Sequence, residues 1–214
     1  MTSSSYSPSV STTTTIISFP TPIITTPNFQ IRAYHDSDIT PCTEALNSNA
    51  SLIAKYMRNT FPNPATTPGT RHWIKICTTC TIPPNHPSGT LINYAIVSGD
   101  EFIGSIGFKP MPDIESRTFE IGYWIRYESW GKGIMTAAVR KFVRWAFETF
   151  PDLERIEAQV FDDNEASVKV LTKAGLLYEG TRRKAGYKPS LGGAFDIRMF
   201  GVTRDDVLGH EKRE

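Results

Sequence analysis

Apolar and polar positions alternate through Phe29-Gln-Ile-Arg-Ala-Tyr34, a period of two that predicts a first strand. The period then lengthens. Asp36 and Asp38 offer side-chain oxygens to cap a helix over about 38–47, and Leu52, Ile53, Tyr56 and Met57 take helical spacing within Ser51–Arg58. Phe61-Pro-Asn-Pro64 stops that helix, and another is expected around Arg71–Ile76. Pro83–Gly89 is a loop, followed by strands over about 91–98 and 102–109 joined at Gly99-Asp100. The apolar, β-rich run Phe119-Glu-Ile-Gly-Tyr-Trp-Ile125 predicts a buried strand over about 118–126. A helix over about 132–149 buries Met135, Ala138, Val139, Phe142, Val143 and Ala146, with Arg140, Lys141, Arg144 and Glu148 on its outer face. Arg155–Phe161 is the next strand. Asn164 caps a short helix holding Val168, Val170 and Leu171, and Gly175 ends it. Two last strands, about 176–184 and 194–202, bracket Arg182–Lys188, which reads as a basic hairpin tip. The pattern is that of one α/β domain, a mixed sheet flanked by helices, without internal repeats.

Between the strand at 118–126 and the helix that follows stands Trp130-Gly-Lys-Gly-Ile-Met-Thr-Ala-Ala138. A strand, a glycine turn and a helix N-terminus together make an anion site, because the first backbone N–H groups lack helical partners and the helix dipole favours negative charge. Glycines at 131 and 133 let a pyrophosphate approach those amides without a side chain in the way. Gly-x-Gly by itself also serves ordinary tight turns. The frame Gly-x-x-x-x-Gly-Lys-Ser/Thr of nucleotide-binding P-loops is absent.

The ordered set Glu120-Ile-Gly-Tyr-Trp124, Trp130-Gly-Lys-Gly133, Asp163-Asn-Glu-Ala-Ser167 and Lys173-Ala-Gly175 resembles the GCN5-related N-acetyltransferase (GNAT) superfamily. Within it the chain is most similar to the branch of ribosomal-protein N-terminal acetyltransferases RimJ and RimL, over roughly residues 29 to 203. The superfamily's phosphate-loop pattern, Gln/Arg-x-x-Gly-x-Gly/Ala, is met at Gly133, while Trp130 and Met135 depart from it. The resemblance implies a GNAT fold with a mixed, mostly antiparallel sheet of about six or seven strands. It implies an acetyl-CoA-dependent N-acetyltransferase moving an acetyl group directly to a primary amine, a protein N-terminus or a small amine, in a ternary complex and with no metal. The strands at 118–126 and 154–161 are expected to splay around the pantetheine arm. Trp124, Ile125 and Arg126 would pair with the arm, and an N–H near Ile125 would face the growing oxyanion. Gly131, Lys132, Gly133, Ile134, Met135, Thr136 and Ala137 would receive the pyrophosphate, and Asn164 would contact the pantetheine region or a bound water besides capping its helix.

Glu120 is the candidate general base, directly or through a water; its structural alternative is an ion pair with Arg117 or Arg126. An α-amine of pKa about 8 or a lysine of about 10.4 must lose a proton before attack, so a carboxylate there has work to do at neutral pH. Where many superfamily members carry a Tyr general acid this chain has Leu171, and the Rim branch implies Ser167 in its place; a Ser in a helix's first turn also caps. Phe61, Trp73, Tyr123 and Tyr187 are candidate acceptor-site residues, with core packing as the alternative for the first three and a solvated hairpin tip for the last. No Cys stands in these motifs, which argues against a covalent acetyl-enzyme. The reading from another class is a catalytically silent acyl-CoA-binding or protein-interaction module that retains the fold.

Composition narrows the rest. The 214 residues carry a net charge of +1, which argues against nucleic-acid binding by bulk electrostatics, and no apolar run reaches the roughly 18 residues of a membrane helix. Residues 1–28 are Ser/Thr/Pro-rich and uncharged, so a disordered tail is expected there, the GNAT domain over 29–203 and a charged tail over 204–214. With no Lys or Arg before Arg32 a targeting signal is not evident; cytoplasm is the expectation, with the nucleus possible, as a monomer or homodimer. Cys42, Cys77 and Cys80 cannot form an even disulfide framework, and Cys77-Thr-Thr-Cys80 has no second ligand pair for zinc.

Overall fold

A computed structural model describes residues 17–18, 24–57, 63–79, 81–82, 92–188 and 192–209. In chain order the elements are β1 (Ile17–Ser18), β2 (Ile24–Thr25), β3 (Gln30–Arg32), α1 (Ile39–Ser48), α2 (Ala50–Tyr56), α3 (Thr67–Thr79), β4 (Thr81–Ile82) and β5 (Ile92–Ser98). They continue as β6 (Glu101–Pro110), β7 (Thr118–Ile125), α4 (Ile134–Thr149), β8 (Arg155–Phe161), α5 (Glu165–Ala174), β9 (Leu177–Lys188), β10 (Gly193–Thr203) and α6 (Arg204–Leu208). Eight strands form one sheet in the order β2-β3-β5-β6-β7-β8-β10-β9, and β1 pairs with β4 apart from it. Every pairing in the main sheet is antiparallel except β7 with β8. This is the mixed, mostly antiparallel α/β architecture the motifs implied, widened by one short edge strand.

The sheet is buried on both faces. One face packs on α4 and α5, where Ile106, Phe108, Phe119 and Ile121 meet Ala138, Phe142 and Leu171. Phe142 stacks on Phe108 at 4.4 Å between ring centroids, with Tyr94 edge-on at 5.6 Å. The opposite face packs on α1 and α3, where Ala95, Val97, Phe102 and Trp124 meet Ile39, Cys42, Leu46 and Ile74. Strand alternation explains the division, since neighbouring residues of β7 point to opposite faces. Each fully buried Phe or Ile contributes about 1.5–3 kcal/mol relative to its exposed state.

One short pairing shapes the site. β7 and β8 run parallel for three registered residues, Thr118↔Arg155, Phe119↔Ile156 and Glu120↔Glu157. Beyond Glu120 the strands separate, and the sheet opens into a V. Parallel neighbours require a crossover, supplied here by α4, and the strand that enters the glycine turn leads away from the strand that returns.

Several boundaries differ from the sequence reading. The sheet begins inside the stretch expected to be a disordered tail: Ile24 pairs with Ile31, and the Thr26 hydroxyl closes the intervening turn by donating to Phe29 O at 2.8 Å and accepting from Phe29 N at 3.0 Å. Arg182–Lys188 lies within β9, where Arg182 registers with Ile197 and Tyr187 with Ala194; the expected hairpin tip is a bulged ribbon. The bulge sits at Lys184, whose φ is 52° and whose N–H donates to Asp196 at 2.8 Å. Asp38 does not cap α1 with its side chain. Its carboxylate accepts two bonds from Arg32, at 2.7 and 2.8 Å, and one from the His35 amide at 2.7 Å, closing the turn before α1. Within the expected charged tail, α6 starts with Arg204, whose guanidinium donates to the carbonyls of Phe147, Phe150 and Leu153 and so caps the negative end of α4. Among the described residues no helix is long and apolar enough to cross a membrane.

Candidate active site

The V between β7 and β8 opens a cavity of about 1280 Å³ that runs from the glycine turn before α4 to the sheet face under α2 and α3. At one end Gly131 and Gly133 have φ of 72° and 74°, a left-handed conformation that side chains disfavour. A Cβ on either would meet nothing within 4 Å, so backbone conformation, not crowding, demands glycine here. Gly133 is the N-cap of α4 and carries no side chain to occupy the first-turn amides. The Ala137 N–H donates to Gly133 O at 3.1 Å as the first bond of the helix, so the amides of Gly131, Gly133, Ile134, Met135 and Thr136, all standing in the cavity wall, are the ones that remain available to an anion. Met135 points its side chain into the core beneath and is 6% exposed.

The ladder decides which backbone groups of β7 face the gap. Arg126 donates its N–H to Ile103 O at 2.8 Å and Met111 donates to Thr118 O at 2.9 Å, so the even-numbered residues of β7 bond to β6. Antiparallel alternation then turns the N–H and C=O of Ile121, Tyr123 and Ile125 toward the opening. The expectation that Trp124 and Arg126 pair with the arm is corrected at this point, because their backbone groups serve the sheet. The Arg126 guanidinium also turns away, onto Glu101 at 2.5 Å. Ile125 O is itself taken by the Trp130 indole N–H at 3.1 Å, so of Ile125 only the N–H faces the gap unpaired with a side chain.

α5 forms the opposite wall. Asn164 caps it, accepting from the Ser167 N–H at 3.2 Å, and both residues line the cavity. Tyr123 lies on the α5 side of the sheet, where its hydroxyl donates to Ser167 O at 3.4 Å, and burial raises its phenol pKa well above the ordinary value. The sequence reading placed Tyr123 with the acceptor; the fold places it beneath the first turn of α5. Leu171 is fully buried under the same helix. Arg140, Lys169 and Lys173 line the outer cavity near α4 and α5, a cationic mouth the sequence reading missed. Their even spread over two outer helix faces looks like ordinary solvation until the fold converges them. Lys132, by contrast, is exposed on the turn outside the cavity lining.

Glu120 is the last β7 residue registered with β8, and its side chain sits in the cavity wall at 8% residue exposure. Lys109, its partner across β6, brings Nζ to 3.9 Å from the carboxylate. The alternative ion pairs do not form: Arg117 pairs with Glu154 and Arg126 with Glu101. Trp73, Asn93, Ser105 and Tyr187 line this acceptor-side end, with Tyr187 exposed at the rim. Phe61 lies outside the described residues. Lys188 is buried; its ammonium donates to Met57 O at 2.6 Å and Lys55 O at 3.2 Å, tying β9 to the end of α2, and burial lowers its pKa. Arg182, Arg183 and Lys184 stay outside the cavity. Among the described residues no three His, Cys, Asp or Glu side chains come together as metal ligands. Cys42 is buried, and its thiol is pushed up to about 12 by that burial and then by the Asp38 charge.

Known proteins resemble the chain in sequence over part of its length and in architecture over most of it. The chain is 36% identical over 110 residues to the uncharacterized N-acetyltransferase p20 of Bacillus licheniformis, which is 51% of this chain and 60% of that protein. It is 29% identical over 102 residues to the ribosomal-protein-serine acetyltransferase of Escherichia coli, 48% of this chain and 56% of that protein. The chain thus spans about half the length of the curated relatives it matches, from 40% to 60%. The crystal structure of the ribosomal L7/L12 α-N-protein acetyltransferase RimL in complex with coenzyme A superposes with a TM-score of 0.69, covering 86% of this chain and 98% of that one at 19% identity. Residues 28–177 match the family model described as the acetyltransferase (GNAT) domain. With that match across more than half its length, the chain belongs to the GNAT acetyltransferase family.

Proposed function

We propose that the protein transfers an acetyl group from acetyl-CoA directly to a primary amine, and that the amine is a protein N-terminus. The observation that carries this reading is the point where β7 and β8 part. A single cavity there joins a partner-poor helix N-terminus at one end to a buried carboxylate, Glu120, at the other. The residues fit the cofactor: the amides from Gly131 to Thr136 would receive its pyrophosphate, Arg140, Lys169 and Lys173 would meet the remaining phosphate charge, and the gap-facing groups of Tyr123 and Ile125 would pair with its amide arm. Acetyl-CoA supplies the acetyl group as a thioester. The Ile125 N–H donates to the carbonyl oxygen as it gains negative charge, an interaction that strengthens toward the transition state. Glu120 accepts the proton that the attacking amine must lose, while Lys109 holds the carboxylate in place. Ser167, with the buried hydroxyl of Tyr123 beside it, solvates the departing thiolate, which at a pKa near 8.5 leaves without a strong acid.

A protein N-terminus is favoured over other amines by the relatives: the E. coli protein is named for a ribosomal-protein serine and RimL for the α-amine of L7/L12. Calorimetric titration with acetyl-CoA tests the reading, with Gly133→Glu as control. The substitution forces a left-handed position onto glutamate and sets a carboxylate at the proposed phosphate site. Micromolar binding that the control loses, followed by CoA release with N-terminal peptides, is the expected result. Binding without CoA release on any amine would favour a silent acyl-CoA-binding module, and no binding would remove the enzymatic reading altogether.

A further inference from the structure

The acceptor-side face of the sheet has a two-strand-wide floor without side chains. Gly107 registers with Asn93 on one side and Gly122 on the other, so two glycines lie abreast on β6 and β7. The pair Ser105–Trp124 bounds this trough in one direction along the strands and Lys109–Glu120 bounds it in the other. Asn93 forms its end wall on β5. All of these residues line the cavity except Gly107, which is its floor. A Cβ on Gly107 would come within 2.4 Å of Asn93 Oδ1 and 2.1 Å of Ile92 O, so the Asn93 carboxamide occupies the space the missing side chain leaves. A Cβ on Gly122 would meet nothing within 4 Å, so there the floor is open to a ligand.

Asn93 is out of place as a packing residue. The next positions of β5 on this face, Ala95 and Val97, are buried and apolar. Asn93 is 8% exposed, and its Nδ2 has no hydrogen-bond partner among the described residues. A buried amide left unsatisfied is costly, so this one calls for a partner from outside the described residues. The amide donates, so its complement is an oxygen. Glu120 stands two strands away and two residues along, a backbone separation of roughly 12 Å that the two side chains shorten by reaching into the trough. A short acceptor spans that distance with its amine at Glu120 and its oxygen at Asn93.

Resting on the acetyl-transfer reading above, we infer that Asn93 selects acceptors in which a carbonyl oxygen lies close to the amine, the arrangement of a peptide N-terminus. A polyamine has no such oxygen, would leave the amide unsatisfied, and would bring further positive charge toward Lys109. Only a hydrogen bond to bound acceptor is assigned to Asn93; proton transfer stays with Glu120.

The test compares two amines of similar length, glycine N-methylamide and n-butylamine, on the full chain and on Asn93→Leu, which keeps the branched shape of the side chain and removes its polar atoms. The ratio of their kcat/KM values cancels the general state of the enzyme. In the leucine variant the preference for the amide falls about tenfold, as for one lost hydrogen bond, and the change lies in KM. Acetyl-CoA affinity, measured in the same variant, stays within about twofold, because the cofactor end is built from other residues. An unchanged ratio overturns the assignment of Asn93 and leaves the enzyme reading standing. Absence of transfer to either amine or to any peptide by the wild type overturns that reading, and the inference with it. If the leucine variant does not fold, Asn93→Ala, smaller than the native residue, carries the same comparison.

Discussion

The two ends of the cavity are made of different materials. The cofactor end is mostly backbone: two left-handed glycines, the first turn of α4, and the gap-facing edge of β7 after Glu120. The acceptor end is side chains brought from α2, α3, β5, β6, β7 and β9, among them Trp73, Asn93, Lys109, Glu120 and Tyr187. Backbone is indifferent to most substitutions, so a relative can keep the first end while changing the second residue by residue. Such a division would let one cofactor end be combined with different acceptor ends on the same fold. It also means that the two ends should fail separately when mutated.

The largest expected separation comes from Glu120→Gln. The substitution keeps size and hydrogen bonding but removes the proton acceptor, so kcat falls by about 10²–10³ while the acetyl-CoA dissociation constant barely moves. The deficit should shrink as pH rises past the amine's own pKa of about 8, where the acceptor arrives deprotonated. Turnover unaltered from pH 6 to 9 would sink the general-base role and erase the functional difference between the ends.

The same contrast governs what could be read in the sequence. Gly131, Gly133, Asn164 and Gly175 mark turns and caps through local chemistry, and all four stand where their neighbours in sequence imply. Elements with strong periodicity, such as α4 and β8, fall within about two residues of expectation. The acceptor end was legible only at Glu120, Trp73 and Tyr187, since Asn93, Ser105 and Lys109 become neighbours through cross-strand register, which depends on which strands pair. Arg126 shows the limit from the other side: it stands beside the right motif, yet strand parity turns its backbone to β6 and Glu101 claims its side chain. The ribbon at Arg182–Lys188 was missed because a bulge at a positive-φ lysine continues a strand where charge and glycine suggest a tip.

A second, smaller effect separates the ends by stability. Asp38 anchors the acceptor-side helices to the sheet through Arg32. Burial pushes the Asp38 carboxyl up, but the Arg32 hydrogen bonds, the His35 amide and the Arg32 charge together hold it below the usual carboxylate range. A carboxyl with a depressed folded pKa contributes stability fully present above its unfolded pKa of about 3.9 and lost as pH falls through the folded value. Asp38→Asn should therefore cost about 2–3 kcal/mol near pH 7 and progressively less below pH 4, read by denaturant unfolding at several pH values. Acceptor KM should suffer before acetyl-CoA affinity does. An equal loss of both would mean that the helices over the acceptor end and the glycine turn rise and fall together.

The smallest effect probes a place where a side chain takes up a backbone group of the cofactor end. Trp130 donates its indole N–H to Ile125 O at 3.1 Å and leans on Tyr127 at 5.3 Å between centroids. The bond pins the start of the glycine turn to the end of β7, and it consumes a carbonyl that would otherwise face the gap. Trp130→Phe keeps an aromatic ring there and removes the donor. Two consequences oppose each other: the turn loses an anchor, and the gap gains a free acceptor that an amide of the cofactor's arm can use. Because Trp130 is 40% exposed, the anchor is worth little beyond what water supplies, yet the turn it fixes must be ordered before the phosphates bind. The ordering term wins, and acetyl-CoA affinity falls about two- to fourfold in calorimetry, with the preference between amines unmoved. Tighter binding in the variant would reverse the assignment, making Trp130 a competitor of the cofactor's arm rather than the support of its phosphate site.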